Sequence, residues 1–250
     1  MSVPDPAPPG RRIRLWPWVV LAVVSGVGFA LHSPWLSLRS IEIVGAVRSD
    51  PASRVEAGGV GHGAILVWID TGALEASIAE DPWVSEARVT RVWPDRLVVE
   101  VLERSPAVWI EGQSAWMLVA GDGMVLQGAP TAGGGLLRAA IGTGDHEPGE
   151  RPEDSLWREV VALAGVLRDD IGGTMTLRLQ GTELWSEAFG HPVRFGTPVD
   201  LADKGRALRA LLQQQLPVGA TVDVSAPLRP VVVPLGAGSN PGGEVEGSGG

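Results

Sequence analysis

The chain has 250 residues, room for one large domain or two small ones, and 44% of them are hydrophobic, enough for a real core. With no cysteine it has neither a disulfide framework nor a thiolate metal site. Its net charge of −9 is unevenly placed: Arg11, Arg12 and Arg14 against Asp5 give residues 1–14 a balance of +2, which leaves −11 for the remainder, and an acidic body without an arginine stripe argues against nucleic acid as a partner.

From Leu15 to Leu38 there is no Asp, Glu, Lys or Arg. As a helix, Leu15–Ser33 would span roughly 28 Å against a hydrocarbon core of about 30 Å. Pro17 fits the first turn and Pro34 marks the far end, while Trp16, Trp18 and Trp35 suit the two interfaces. The expectation is a cytoplasmic tail over 1–14 and a single transmembrane helix over 15–37. Arginines before the segment put the N-terminus inside and everything after it outside. A cleaved signal peptide has the same charge order, with Gly28-Phe29-Ala30 as its cleavage site, and a buried core helix is the third reading. Length and tryptophan placement favour the anchor.

Residues 38–106 read as a compact α+β unit. Arg39–Val44 alternates with Ile41 and Ile43 on one face, and Gly45 ends it. A short helix is expected over 49–57, then a glycine-rich stretch from Gly58 to Gly63. Asp70 is placed to cap a second helix, in which Leu74 and Ile78 share a face and which Pro82 stops. Two strands follow, Ala87–Val92 and Leu97–Glu103, joined by the turn Trp93-Pro94-Asp95-Arg96. In the second strand Leu97, Val99 and Val101 face one way and Glu100 the other. Arg91, Glu100, Glu103 and Arg104 are expected at the surface, the Glu103-Arg104 pair simply solvated.

Residues 107–235 read as a β-rich domain with two helices. Ser114–Val119 and Met124–Leu126 flank Gly121-Asp122-Gly123, a hairpin signal. Leu156, Val160, Leu163, Ala164 and Leu167 form the stripe of a helix over 154–167, and Met175, Leu177 and Leu179 alternate as a strand. A second helix over 200–215, capped by Asp200, turns Leu201, Leu208, Leu211 and Leu212 inward. Val222–Val224 and Val231–Val233 are the last short strands. Pro230 and Pro234 bracket the final one, and neither can donate a ladder hydrogen bond, so it belongs at a sheet edge. Residues 236–250 are mostly glycine, serine and acid with little to bury, and read as a disordered tail.

Within this frame the opening Leu38-x-x-Ile41-x-Ile43-x-Gly45, the approach Pro82-Trp83-Val84, and the run Trp93-Pro94-Asp95-Arg96-Leu97-Val98-Val99-Glu100-Val101-Leu102-Glu103-Arg104-Ser105-Pro106 resemble the FtsQ/DivIB family of bacterial cell-division proteins. Thr221-Val222-Asp223-Val224-Ser225-Ala226-Pro227 with Pro230 is similar to the close of the family's second domain, and Lys204 stands where its last helix usually has a lysine. The resemblance does not extend over about 128–190. It implies an α+β chain with one N-terminal transmembrane helix, a POTRA-type domain over 38–106 and a β-rich domain over 107–235. It further implies a non-enzymatic divisome scaffold at the septum of the bacterial inner membrane. Its implied partners are FtsB-like and FtsL-like division proteins and other divisome components. The family's partner surface maps to Val231, Val232 and Val233, with Ser225 just before them. Some relatives use tyrosine in this region; this chain has none.

No catalytic constellation stands out in the sequence. His32, His62, His146 and His191 have no zinc-ligand spacing, and His62 and His191 sit beside glycines in expected loops. Gly112-Gln113-Ser114-Ala115-Trp116 lacks the second glycine of a nucleophile elbow and falls in an expected strand. Gly133-Gly134-Gly135 has no Gly-Lys-Ser/Thr after it, and Asp169-Asp170 reads as a solvated helix end. No catalytic residue, metal or cofactor is expected. The alternatives are a cell-envelope hydrolase, for which no nucleophile–base set is present, and a POTRA-bearing secretion component, whose β-barrel would not fit.

Overall fold

The computed structural model describes residues 16–31, 36–167 and 175–234. The expected segments 1–14 and 236–250, the span residues 15 and 32–35, and Asp169-Asp170 lie outside these. The chain forms two compact units. The first gathers the described residues up to Ala46 with Asp50–Ile78 and Ala87–Val101; the second gathers Val47–Ser49, Ala79–Glu86 and the described residues from Leu102 onward.

Helix α1 (Trp16–Leu31) is followed by β1 (Ser40–Val44), α2 (Pro51–Ala57), a short 3-10 turn (Leu66–Trp68) and α3 (Thr71–Ala79), then by strands β2 (Val84–Val92) and β3 (Arg96–Glu103), of which residues 87–92 and 96–101 belong to the first unit. Among the described residues no helix is long and apolar enough to cross a membrane; α1 has 16 residues, about 24 Å of helix. Its side chains Trp16, Trp18, Val19, Leu21, Val23 and Val24 are all exposed. The sheet runs β1-β3-β2, with β1 parallel to β3 through Ile41 opposite Leu97 and Ile43 opposite Val99. Leu97, Val99 and Val101 are buried together with Val55, Leu74 and Ile78 of the helices, as alternation requires, while Ile43 at the edge stays exposed. Asp50 and Asp70 cap α2 and α3 by accepting the N–H groups of Ser53 and Ala73. Gly45, at φ +90°, tolerates no side chain: a Cβ there would sit 2.1 Å from the Val101 carbonyl oxygen. The cation of Arg91 is not merely solvated, for it donates to the carbonyls of Leu66 (3.1 Å) and Ile69.

The second unit holds a nine-stranded sheet. Its elements are β4 (Pro106–Glu111), β5 (Trp116–Ala120), β6 (Val125–Ala129), β7 (Leu137–Ala140), α4 (Ser155–Leu167), β8 (Thr176–Gln180), β9 (Glu183–Ala188), β10 (His191–Gly196), α5 (Leu201–Leu212), β11 (Thr221–Asp223) and β12 (Val231–Val233). The strand order is β12-β11-β10-β9-β8-β7-β4-β5-β6. Parallel neighbours need a crossover, and the helices supply two of them: α4 carries the chain from β7 to β8, and α5 from β10 to β11. The helices bury Trp157, Leu163, Leu167, Leu201 and Leu208 with Val108, Ile110, Leu177, Phe195 and Val222 in one core. On the opposite face Trp109, Leu118, Ala120 and Leu126 form a smaller cluster.

Several expectations need correction. Strand β2 starts three residues earlier than the alternation suggests, and β5 starts at Trp116, so Ser114 lies in the β4–β5 turn. There its hydroxyl and N–H are both taken by Asp145. His191 opens β10 instead of lying in a loop, with Nδ1 3.0 Å from the Ala220 carbonyl oxygen. Asp200 precedes α5 but does not cap it through its side chain; at φ +55° it is turned so that Glu159 accepts the Leu201 N–H instead. Glu103 and Arg104 are not a solvated pair, because each is spent on main-chain groups far away in sequence.

Candidate partner-binding edge

Strand β12 closes one side of the nine-stranded sheet and pairs antiparallel with β11: Thr221 opposite Val233, Val222 opposite Val232 and Asp223 opposite Val231. Along a strand, successive residues direct their main-chain N–H and C=O to opposite sides. The Val224 N–H donates to the Arg194 carbonyl on β10 at 2.9 Å, so residues 222 and 224 address β10 and residues 221 and 223 address β12. Val231 and Val233 therefore exchange hydrogen bonds with β11. Val232 points its N–H and C=O away from the sheet. Residues 230 and 234 share its parity, and both are proline, so the edge is left with a single outward donor flanked by two deletions.

The side chains divide the same way. Val222 is fully buried, and its partner Val232 is half-buried on the helix side. Val231 and Val233 emerge on the opposite face, 53% and 37% exposed, beside Asp223 and Thr221. Here Arg194 of β10 donates to Asp223 (3.1 Å) and to Glu183 (2.5 Å) and stacks on Trp185 at 5.8 Å. Burial works to raise the Asp223 carboxyl, but hydrogen bonds from Ser225 and then Arg194 outweigh it and hold it below the usual carboxylate range. The Glu183 carboxylate is lowered chiefly by its hydrogen bonds from Arg194. This network fixes β11, and β11 fixes the register of β12.

Ser225 is not on the edge. It lies in the β11–β12 connection, with its N–H on the Asp223 carboxylate (2.9 Å) and its Cβ where any side chain at Gly196 would intrude. Of the four sequence-derived residues, then, three form the open strand and the fourth holds the turn that delivers it. Lys204, the buried cation of α5, donates to the Thr197 carbonyl at 2.7 Å and is structural. Among the described residues no group of three His, Asp or Glu could hold a metal ion.

Comparison with known proteins gives the family. The POTRA domain of FtsQ type matches residues 36–104. The cell division protein FtsQ of Streptomyces venezuelae is 31% identical over 228 residues, 89% of this chain and 84% of the relative. That of Streptomyces collinus is 30% identical over 244 residues, 92% of each, and that of Corynebacterium glutamicum 27% over 217 residues, 84% and 91%. The chain belongs to the FtsQ family. Within that family frame, the residues that sequence reasoning missed are Arg194, Glu183 and Asp223. Their spacing carries no signal, because β9, β10 and β11 bring them together only once paired.

Proposed function

We propose that this chain is a non-enzymatic, membrane-anchored scaffold of the bacterial division machinery, and that its β12 edge receives an extended segment of a partner. The partner is an FtsB-like division protein, with an FtsL-like protein in the same assembly. The outward main chain of Val232 carries this reading: it offers one N–H and one C=O at the side of a sheet, the pair of groups by which an added strand is held. Val231 and Val233 supply apolar surface beside them, and Ser225 acts by holding the turn. FtsQ membership supports the divisome assignment. The uncharged run Leu15–Ser33 and the exposed apolar side chains all round α1 support a single span with the N-terminus in the cytoplasm. We place a tail over 1–14, the anchor over 15–37, a POTRA-type domain over 38–106, a β-rich domain over 107–235 and a C-terminal tail over 236–250, with the extracytoplasmic domains at the septum.

Val232→Pro is the decisive variant. It deletes the outward donor without breaking any bond to β11, so the thermal midpoint of the protein stays nearly unchanged. Calorimetric titration with an FtsB-like segment should show affinity lower by about tenfold or more, the worth of one well-formed interfacial hydrogen bond. Unaltered affinity in a folded Val232→Pro protein would place the partner elsewhere.

A further inference from the structure

The Glu103-Arg104 pair at the end of β3 holds in place two residues, Arg48 and Trp83, that line a cleft apart from the β12 edge. The Glu103 carboxylate accepts the N–H groups of Val47, Arg48 and Ser49 at 2.7–2.8 Å and the Ser49 hydroxyl at 2.6 Å. Burial works against its charge, yet these donors pull the group down from 4.5 to about 2. Three successive N–H groups turned onto one oxygen fix the loop, and the exposed Arg48 side chain leaves it from a set position. Arg104 does the same for the neighbouring segment. Its guanidinium donates to the carbonyls of Pro82 (2.8 Å) and Val84, and its N–H to the carbonyl of Trp83 (2.7 Å). The two anchored residues meet: the Arg48 guanidinium lies 5.0 Å from the centre of the Trp83 ring.

With Trp109, Leu118, Gln127 and Leu136, this stacked pair lines a cleft of about 390 Å³. Gly133 closes over Trp109 so tightly that a Cβ would come within 3.2 Å of the indole. Arg48 is the one charged group in the lining, and among the described residues no carboxylate pairs with it. A lone cation on an aromatic plane is locally complementary to an anion with an apolar body, although the net charge of −9 opposes its approach from a distance. The lining has no carboxylate to accept from sugar hydroxyls or to hold a metal ion, and one cation is too few for a lipid headgroup array. Gln127 both donates and accepts, which matches a peptide group.

We propose that this cleft docks an extended acidic segment of a second protein, with a carboxylate on Arg48, an apolar side chain against Trp83, Trp109 and Leu136, and main chain on Gln127. The site is independent of the β12 edge. Glu103 and Arg104 are its positioning residues and touch no ligand.

The test uses the full chain in detergent micelles. Its probes are three sets of octapeptides in which Glu, Gln or Lys alternates with Leu or Pro, and vesicles containing phosphatidylglycerol. Wild type should bind the Glu set about tenfold more tightly than the Gln set, the scale of one charge-assisted contact. Arg48→Glu should reverse the preference toward the Lys set at an unchanged thermal midpoint, because it is the Arg48 N–H and not its side chain that holds Glu103. Val232→Pro should bind the Glu set as wild type does. Equal binding of the Glu set by wild type and Arg48→Glu, no binding of any peptide at millimolar concentration, or binding of vesicles alone would each overturn the proposal.

Discussion

The two ends of the nine-stranded sheet treat their unpaired main chain in opposite ways. At β6 the Val125 N–H donates to the Glu150 carbonyl and the Val125 carbonyl accepts the Gly149 N–H, both at 2.9 Å, so a passing loop covers the edge. Strand β2, at the side of the smaller sheet, is protected by a side chain instead: the Val89 N–H donates to Glu75 at 2.7 Å. Among the described residues, strand β12 has neither cover. Prolines at 230 and 234 cut its outward donors to the one on Val232, which limits pairing in length and register without forbidding it. The lesson is that an edge can be blunted and still kept usable, provided one residue retains both of its main-chain groups.

Uncovering a protected edge should cost more than altering the open one. Gly149 sits at φ +94°, so Gly149→Pro both forces an inaccessible backbone angle and removes the donor to Val125. A loss of roughly 2–4 kcal/mol in denaturant unfolding is expected; a loss below the error of the measurement would mean that the loop does not protect β6. Acid is the next lever, through the loop that Glu103 covers. A carboxyl lowered from 4.5 to about 2 contributes stability that is complete above about pH 4.5 and is lost as the pH falls toward 2. The thermal midpoint should therefore drop across that window, and Glu103→Gln should flatten the drop while costing roughly 2 kcal/mol at neutral pH. Identical acid profiles for the two proteins would remove Glu103 from the account. Glu75→Ala, which bares only the Val89 N–H on β2, should cost about 1 kcal/mol, and hydrogen exchange at Val89 should quicken. The smallest stability change belongs to Val232→Pro, whose effect falls on partner affinity.

How far these features were legible depended on the kind of signal each leaves. Strand β3 and helices α4 and α5 bury one face each, and their alternation or stripe gave them away. Strand β4 is buried on both faces, from Ala107 to Ile110, so Ala-Val-Trp-Ile shows no alternation to read. The β9–β10 hairpin turns on Phe189-Gly190, with Phe189 at φ +50° and exposed; a bulky residue there replaces the Asn or Asp that usually marks such a turn. Asp200 looked like a cap by type and position, yet its left-handed backbone turns it away. At the edge, the flanking prolines were enough to place β12 at the side of the sheet. Which of its three valines faces outward was not, because that parity is set by the pairing of β11 with β10. The roles of Glu103 and Arg104 were equally hidden, since the main chain that Glu103 binds lies 54 to 56 residues away.

Among the described residues of β12, Val232 alone directs both of its main-chain groups away from the sheet, and amide hydrogen exchange read residue by residue tests this most directly. In the free protein the Val232 amide should exchange at close to its unprotected rate while Val231 and Val233, bonded to β11, are slowed. Saturation with an FtsB-like segment should slow Val232 to the level of its neighbours. A Val232 amide already protected in the free protein, or one still fast when the segment is bound, would contradict the account.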